Sequence, residues 1–229
     1  MQVVILAAGK GSRMVPITDH TPKTLIRVGG KTILERIVEE FPPEIDEILI
    51  VIHHLAPVIE DFVSTHPLFC GRTKCVMQNF EHGTGTMSAL CSVQDYLKNK
   101  FLVVSGDDIH GRSDLEGLIS HPCSFGIQKK KMPGYHSIMF DAQNHLQGLR
   151  SQTEEELAGG SAWIATGAYV LDQRIFSCEP VRLKDGEYGL PQTIISMAKD
   201  VPVIVVPENS WISVNTHEDL ARVDAMLSS

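Results

Sequence analysis

The stretch VVILAAGKGSRM, residues 3–14, decides the fold of this chain. The apolar residues from Val3 to Leu6 predict a buried strand, and the small residues and glycines that follow predict a tight turn at its end. A glycine-rich turn after a first strand is typical of loops that hold phosphate groups with backbone N–H groups. Several unrelated classes of protein use such loops, so the rest of the chain must identify this one.

The composition indicates a chain that buries a substantial core. The 229 residues are 43% hydrophobic, which favours a single domain over residues 1–229. The net charge of -8 disfavours nucleic acid and anionic membranes as partners, since both attract basic surfaces. No apolar stretch approaches the ~20 residues that span a bilayer, and no secretory pattern is visible, so we expect a cytoplasmic protein. Five cysteines without a C-x-x-C pair support neither a disulfide framework nor a zinc site.

Apolar strands and helical patterns alternate through the first half of the chain. The predicted strands are VVIL, ILIVI (48–52), KCVM (74–77) and FLVVS (101–105), and the predicted helices lie near 32–40, 57–64, 84–97 and 114–120. Uninterrupted β-branched runs separated by helices predict parallel strands that are covered on both faces. The fold class that we predict is therefore α/β, with a doubly wound sheet.

Shorter segments replace this rhythm after residue 120. The predicted strands there are 123–128, 136–140, 163–171, 201–206 and 211–215, with a hairpin turn at 141–145. We predict that these later strands join the first four in one sheet, which is mixed but mostly parallel. A final helix near 216–227 is expected to begin at a Thr216 cap, with Asp219 three residues further on.

Two well-known phosphate-binding motifs nearly match this chain, but each lacks one required glycine. The dinucleotide fingerprint G-x-G-x-x-G that would begin at Gly9 requires a glycine where this chain has Met14. A Walker A loop ending at Gly30-Lys31-Thr32 requires a glycine at the position of Leu25. We interpret the second motif as the start of a helix, with Lys31 in solvent.

A longer pattern fits without a gap. Residues 6–25, LAAGKGSRMVPITDHTPKTL, resemble the signature L-A-A-G-x-G-x-R-M-x-P-x-T-x-x-x-P-K-x-L of the sugar-1-phosphate nucleotidylyltransferases. The resemblance implies a Rossmann-like nucleotidyltransferase domain with a nucleotide-binding half over about 1–120 and an acceptor-binding half over about 121–229. It implies an enzyme that transfers a nucleotidyl group from an NTP to a sugar 1-phosphate and releases pyrophosphate.

The chemistry of that transfer explains the residue types in the motif. Backbone groups of Leu6, Ala8, Gly9 and Gly11 would approach the nucleotide closely, because small residues leave room for it. Arg13 would offer a planar set of donors to the departing pyrophosphate. Lys23 would place a point charge near the reacting phosphates, so we predict Arg13 and Lys23 as the catalytic residues.

The resemblance also implies a Mg²⁺ site. SGDDI, residues 105–109, follows the fourth predicted strand, and the family's G-D pair corresponds to Asp107, with Asp108 as the competing candidate. WISVN, residues 211–215, resembles the closing motif, whose second metal ligand corresponds to Asn215 or to the position of Ser213. Carboxylate and carbonyl oxygens are the ligands that Mg²⁺ prefers.

The segment QNFEHGTG, residues 78–85, is the candidate base-binding segment. In the uridylyltransferases a glutamine at the spacing of Gln78 contacts the uracil edge, and the pair corresponding to Gly83 and Thr84 closes over the base. An amide offers both a donor and an acceptor to a pyrimidine. UTP is therefore the favoured donor, with dTTP or CTP as alternatives.

Departures from the family pattern concentrate on the acceptor side. His136, Ser151 and Ala165 stand where the family places a glycine, a glutamate and an asparagine that hold the sugar. Glu154, Glu155 and Glu156 could restore a carboxylate, although an acidic run is more often a solvated loop. Cytidylyl transfer to phosphocholine or an inositol phosphate, or a non-catalytic nucleotide-binding regulatory subunit, are therefore alternatives, and a homo-oligomer is possible.

Three further features receive structural interpretations. The run Lys129 to Lys131 is expected to be an exposed strand end, and His53 with His54 a loop after a strand. Trp163 and Trp211 are expected to be packing residues.

Overall fold

The computed structural model describes residues 1–227, and its core is a seven-stranded sheet. The strands are β1 (Gln2–Leu6), β2 (Arg27–Val28), β3 (Lys31–Thr32), β4 (Glu47–Ile52), β5 (Thr73–Met77), β6 (Phe101–Ser105), β7 (Asp108–Ile109), β8 (Ser124–Lys130), β9 (Ser137–Phe140), β10 (Leu146–Arg150), β11 (Ala162–Leu171), β12 (Ile204–Pro207) and β13 (Ile212–Ser213). The helices are α1 (Ile33–Glu39), α2 (Ala56–Thr65), α3 (Thr86–Cys91), α4 (Arg112–Ile119), α5 (Glu154–Leu157), α6 (Leu190–Met197) and α7 (His217–Leu227).

The sheet has the strand order β12-β8-β11-β6-β1-β4-β5. β11 runs antiparallel to both of its neighbours, and the other neighbouring pairs are parallel. Alternate residues of β1 enter separate hydrophobic clusters, Val3 and Ile5 on one face and Val4 on the other. Helices therefore cover both faces, which confirms the doubly wound, mostly parallel mixed α/β fold.

The strand register brings four loops to one edge of the sheet. Leu6, the last residue of β1, lies opposite Val51 of β4 and Ser105 of β6. Ile52 of β4 lies opposite Met77 of β5. Because these four strands are parallel and end together, the segments that follow them meet at the carboxyl edge, where open α/β sheets bind ligands.

One predicted helix is shorter than expected. The pattern predicted a helix near 84–97, but α3 spans only Thr86–Cys91 and a separate 3₁₀ turn follows at Gln94–Tyr96. Gly85 has a φ of 102°, which no helix residue adopts, so the helix begins after it. At the other end, the Ser92 hydroxyl donates to the Ser88 carbonyl and accepts from the Asn79 N–H, which favours the end of the helix.

Two short helices begin with reciprocal side-chain caps. Thr32 accepts from the Glu35 N–H while the Glu35 carboxylate accepts from the Thr32 N–H. The motif Gly30-Lys31-Thr32 is thus the start of a helix, as predicted. Thr153 and Glu156 form the same capping box at α5, so the acidic run predicted as a solvated loop is a helical turn.

Thr216 caps α7 as the sequence predicted. Its hydroxyl accepts from the Asp219 N–H at 3.1 Å, and the Asp219 carboxylate accepts from the Thr216 N–H at 3.1 Å. All five cysteines are free thiols. Within residues 1–227, no helix combines the length and the apolar character needed to cross a bilayer.

The two capping boxes give a matched test of local stability. We expect Thr32→Ala to lower the free energy of unfolding by about 1 kcal/mol, because α1 packs into the core and loses a cap. Thr153→Ala is the control, since α5 has no buried residue and its turn can open without disturbing the core. Urea unfolding measures both variants, and an equal or larger loss in Thr153→Ala would contradict the interpretation.

Candidate active site

The loop after β1 bends sharply at the carboxyl edge. Gly11 has a φ of 64°, and a Cβ added there would lie 2.8 Å from the Thr18 methyl group. The Thr18 hydroxyl donates to the Gly11 carbonyl at 2.9 Å, which fixes the turn. A Cβ at Gly9 would meet no atom within 4 Å, so the space beside Gly9 is open. The loop is shaped for the close approach of a ligand to its backbone.

Four predicted polar side chains meet beside this loop. The Lys23 ammonium donates to the Asp107 carboxylate and, at 2.8 Å, to Asn215 Oδ1. Arg13 Nη2 donates to the same Asn215 oxygen at 3.0 Å. Residues from the first, middle and last parts of the chain thus form one cluster at the end of the sheet.

A two-stranded ribbon holds Asp107 and Asn215, which supply the two oxygens of this cluster, in place. β7 and β13 pair antiparallel, and the Val214 N–H donates to the Asp107 carbonyl at 3.0 Å. The NH₂ group of the Asn215 side chain donates to the Ser213 hydroxyl. This hydrogen bond orients the amide so that Asn215 Oδ1 faces Lys23. Between the two positions considered for the second ligand, the structure therefore places the Asn215 oxygen in the cluster, whereas Ser213 is buried behind it.

Asp107 and its neighbour Asp108 have different surroundings. Asp107 lines the cleft described below, whereas Asp108 is 8% exposed and points into the protein. Burial, followed by the Asp107 carboxylate, raises the pKa of Asp108 to about 7. Asp107 is therefore the carboxylate available to a ligand.

The chemistry of this cluster fits a hard cation. Oxygens of Asp107 and Asn215 converge on one positively charged atom, the Lys23 nitrogen. Within residues 1–227 no group of three or more acidic, histidine or cysteine side chains could hold a metal ion. A Mg²⁺ ion at Asp107 and Asn215 would therefore need further oxygens from substrate phosphates, which is how Mg²⁺ commonly binds.

A cleft of about 800 Å³ opens in front of the cluster. It is lined by these predicted site residues: Leu6, Ala8, Gly9, Gly11, Arg13, Lys23, Gln78, Thr84, Asp107 and Asn215. Gly83, which was also predicted, does not line the cleft because it packs against the Tyr188 ring. A Cβ added to Gly83 would lie 2.8 Å from a carbon of that ring. The Thr84 carbonyl accepts from the Tyr188 N–H at 2.7 Å, so Tyr188 supports this loop from behind.

The sequence reasoning missed several residues that line the cleft. His53 and Phe80 lie at the cleft with their rings edge to face, at a centroid distance of 4.7 Å. His53 lies in the loop after β4, as predicted, and this loop is at the carboxyl edge. Phe80 is 44% exposed and lies between Gln78 and Thr84 in the chain, a position that could have marked it as a surface for a base. Thr24 also lines the cleft, and its buried hydroxyl has no hydrogen-bond partner among residues 1–227.

A buried ion pair lies behind the ribbon. The His110 Nδ1 to Glu208 Oε2 distance is 2.5 Å, and the Thr166 hydroxyl donates to Glu208 Oε1. His110 and Glu208 are 1% and 3% exposed. Burial lowers the pKa of His110, but the Glu208 carboxylate, together with Asp108 and Asp114, outweighs burial, so the pKa is raised overall. This pair connects β7 to the end of β12, next to the Thr166-Gly167 segment of β11.

Glu156 of the acidic run 154–156 serves the fold. Glu156 accepts two hydrogen bonds from Arg150, each at 2.8 Å, one from Ser137 at 3.1 Å and one from the Thr153 N–H at 2.7 Å. These donors, the Arg150 guanidinium first, lower the pKa of Glu156 to about 2. His136 and Ser151 are exposed and Ala165 lies in β11 opposite Ile127. Glu156 is thus fully engaged by donors of the protein itself.

The fold and the cleft define an α/β enzyme of the nucleotidyltransferase class. A family model described as nucleotidyl transferase matches residues 2–227, and the chain therefore belongs to the nucleotidyl transferase family.

Relatives and solved structures agree with this class. The chain is 29% identical over 231 residues to the bifunctional protein GlmU of Methanocaldococcus jannaschii, covering 99% of the chain and 54% of the relative. It is 26% identical over 230 residues to the bifunctional IPC transferase and DIPP synthase of Archaeoglobus fulgidus, covering 100% of the chain and 44% of the relative. The structure of UDP-glucose pyrophosphorylase complexed with UDP-glucose has a TM-score of 0.84 at 18% identity, covering 98% of the chain and 97% of that structure. The chain spans about half the length of these curated relatives.

The buried ion pair predicts a specific titration. We expect Glu208→Gln to lower the pKa of His110, because burial then acts without the opposing carboxylate. In the wild-type protein the stabilisation is fully present below the usual histidine value of about 6.5 and is lost as the pH rises through the raised pKa. Histidine-ring NMR titration measures the shift, and a spectrum of His110→Gln assigns the signal. An unchanged His110 pKa in Glu208→Gln would contradict the ion pair.

Proposed function

We propose that this chain transfers a uridylyl group from UTP to a sugar 1-phosphate, with Mg²⁺ as cofactor and pyrophosphate as the second product. The observation that carries the proposal is the meeting of Arg13, Lys23, Asp107 and Asn215 at one end of the cleft. Two cations, one carboxylate and one amide oxygen match the needs of a triphosphate and a bound divalent ion.

The reaction exchanges one phosphorus–oxygen bond for another. An oxygen of the acceptor phosphate attacks the α-phosphorus of UTP, the bond from that phosphorus to the bridging oxygen breaks, and pyrophosphate leaves with the electron pair. The second pKa of a phosphate monoester is about 6, so the attacking oxygen is already ionised at neutral pH. No general base is required, and the site must supply alignment and charge.

Each residue of the cluster has a distinct task in this scheme. Lys23 holds a positive charge at the reacting phosphate, and Arg13 donates to the pyrophosphate oxygens as their charge grows. Asp107 and Asn215 would hold Mg²⁺, which would neutralise phosphate charge when bound. The loop with Gly9 and Gly11 lets backbone N–H groups approach the phosphates.

The choice of UTP rests on the segment after β5. Gln78 lines the cleft just after that strand, and the exposed ring of Phe80 lines the same cleft. The Gln78 amide offers a donor and an acceptor to the mixed edge of a pyrimidine, and an aromatic ring offers a surface for stacking.

Cytidylyl transfer to a phosphorylated alcohol is the second candidate. His136, Ser151 and Ala165 lack the groups of the hexosamine pattern, and Glu156 is occupied by Arg150. The relative named IPC transferase and DIPP synthase adds support for an acceptor other than a hexosamine. A pyrophosphate-release screen that crosses UTP, CTP, dTTP, ATP and GTP with phosphorylated sugars and alcohols decides between the two. Absence of release with every pair would favour a regulatory subunit.

Removal of either central charge should stop turnover. We expect Lys23→Ala and Asp107→Ala to lower the rate of pyrophosphate release by about 10²-fold or more, because each removes electrostatic stabilisation of the reacting phosphates. Chelation of divalent ions should stop the wild-type enzyme, and added Mg²⁺ should restore it.

Lys31→Ala is the matched control for the lysine, since Lys31 pairs with Glu39 on the surface and lies outside the cleft. Circular dichroism confirms that the variants fold. Near-normal rates in Lys23→Ala or Asp107→Ala would refute the proposed roles.

Base recognition gives a separate prediction. We expect Gln78→Ala to raise KM for UTP about three- to tenfold and to leave kcat nearly unchanged, because a neutral hydrogen bond contributes about 1 kcal/mol. Gln143→Ala, in the exposed hairpin turn, serves as the control. Steady-state kinetics with UTP and CTP measure both variants, and an equal KM in Gln78→Ala and the wild type would rule out the contact.

A further inference from the structure

The side-chain oxygen of Asn215 is shared between two cations. Lys23 Nζ donates to Asn215 Oδ1 at 2.8 Å, and Arg13 Nη2 donates to the same oxygen at 3.0 Å. An amide oxygen has two lone pairs, so these two hydrogen bonds use its whole capacity as an acceptor. A metal ion can therefore take this oxygen only if one of the two cations leaves it.

The Asn215 amide is fixed in its orientation. Its NH₂ group donates to the Ser213 hydroxyl, and Ser213 lies opposite Asp108 in the β7–β13 ribbon. The Asn215 backbone N–H donates to the Asp219 carboxylate at 3.1 Å. A flip of the amide would turn the NH₂ donor toward two other donors, which hydrogen bonding disfavours. When another ligand takes the oxygen, the cations must therefore move and the amide stays in place.

Lys23 lies between the two oxygens that are proposed to hold Mg²⁺. Its ammonium donates to Asp107 Oδ2 as well as to Asn215 Oδ1. The Lys23 side chain is 12% exposed and the Asp107 side chain is 28% exposed, so water screens their charges only in part. A divalent ion bound to the same two oxygens would lie beside the ammonium, and two cations so close together repel each other. Lys23 and a divalent ion therefore compete for Asp107 and Asn215.

We propose that Lys23 and Arg13 keep divalent ions away from Asn215 in the free protein and yield this residue only when a triphosphate binds. This inference rests on the proposed nucleotidyl transfer, in which phosphate oxygens become the partners of both cations. The two cations, Asp107 and Asn215 line one cleft, and the Lys23 stem is flexible, so a change of side-chain position is sufficient. The metal ion and the nucleotide then bind cooperatively, because each removes an obstacle to the other.

Mn²⁺ binding to the nucleotide-free protein tests the competition without turnover. Electron paramagnetic resonance measures free Mn²⁺ during a titration, and carboxylate and carbonyl oxygens suit Mn²⁺ as they suit Mg²⁺. We expect Lys23→Met to bind Mn²⁺ about tenfold or more tightly than the wild type, because Asp107 and Asn215 then lack the competing ammonium. The double variant Lys23→Met/Asp107→Asn should lose this tight binding, which assigns it to the cluster.

Matched variants separate this competition from the general charge of the cleft. Lys10 lines the same cleft, and its ammonium has no hydrogen-bond partner within residues 1–227. Lys10→Met should therefore bind Mn²⁺ within about twofold of the wild type. Arg13→Met releases one lone pair of Asn215 and should tighten Mn²⁺ binding about threefold, which provides the test if Lys23→Met does not fold. Unchanged or weaker Mn²⁺ binding in the folded variant, or an equal gain in Lys10→Met, would overturn the proposal.

Nucleotide binding without any divalent ion tests the hold of Asn215 on the two cations. Calorimetry in the presence of EDTA measures the affinity for α,β-methylene-UTP. We expect Asn215→Ala to bind it about threefold more tightly than the wild type, because Lys23 and Arg13 no longer give up hydrogen bonds to Asn215. A residue that served only as a metal ligand would leave this metal-free affinity unchanged. Equal or weaker binding in Asn215→Ala would overturn the proposal.

These titrations and the pyrophosphate-release screen can fail independently. Tighter Mn²⁺ binding in Lys23→Met, without turnover of any donor and acceptor pair, would leave the competition in place while refuting the proposed reaction. Turnover in the screen, with unchanged Mn²⁺ binding in Lys23→Met, would support the reaction and overturn this inference.

Discussion

The hydrogen bonds from Lys23 to Asp107 and Asn215 constrain the whole molecule. They join residues that are separated by 84 and 192 positions in the sequence. Such a meeting requires β1 and β6 to lie side by side and to end together, and it requires β13 to return to β7 across the end of the sheet. The doubly wound fold satisfies these requirements because its parallel strands deliver their following loops to one edge.

The sequence was most informative where a local pattern carried the structure. The alternation of apolar runs and helical patterns predicted the fold, and the run from Leu6 to Leu25 carried the family resemblance. That resemblance implied Lys23, Asp107 and Asn215, which do meet in the structure. Local patterns failed where distant packing decided the outcome. The sequence places Gly83 in a loop but does not show which side of that loop faces the cleft. In the structure Gly83 packs against the ring of Tyr188, which is distant in sequence, and so does not line the cleft. The sequence predicted that Lys130 belongs to an exposed strand end. In the structure its ammonium lies against the ring of Trp211, which is 81 positions later in the chain.

Two glutamates in the second half of the chain show how carboxylates can serve the fold itself. Glu156 joins a helix cap, Arg150 and Ser137, and Glu208 joins His110 and Thr166 inside the protein. A residue type alone could not separate these uses from a role toward substrate, because both require a carboxylate surrounded by donors. The contacts separate them, since each oxygen already has its partners.

The short β7–β13 ribbon has a consequence for the order in which the protein is made. A ribosome releases the chain from the N-terminus, so the glycine-rich loop, Lys23 and Asp107 emerge long before Asn215. Until residues 212–215 arrive to pair with β7, Lys23 and Asp107 face each other without the amide oxygen that completes the cluster. A nascent chain would therefore carry all seven strands of the central sheet and an incomplete cluster, and β13, which is synthesised after those strands, would complete both the ribbon and the cluster.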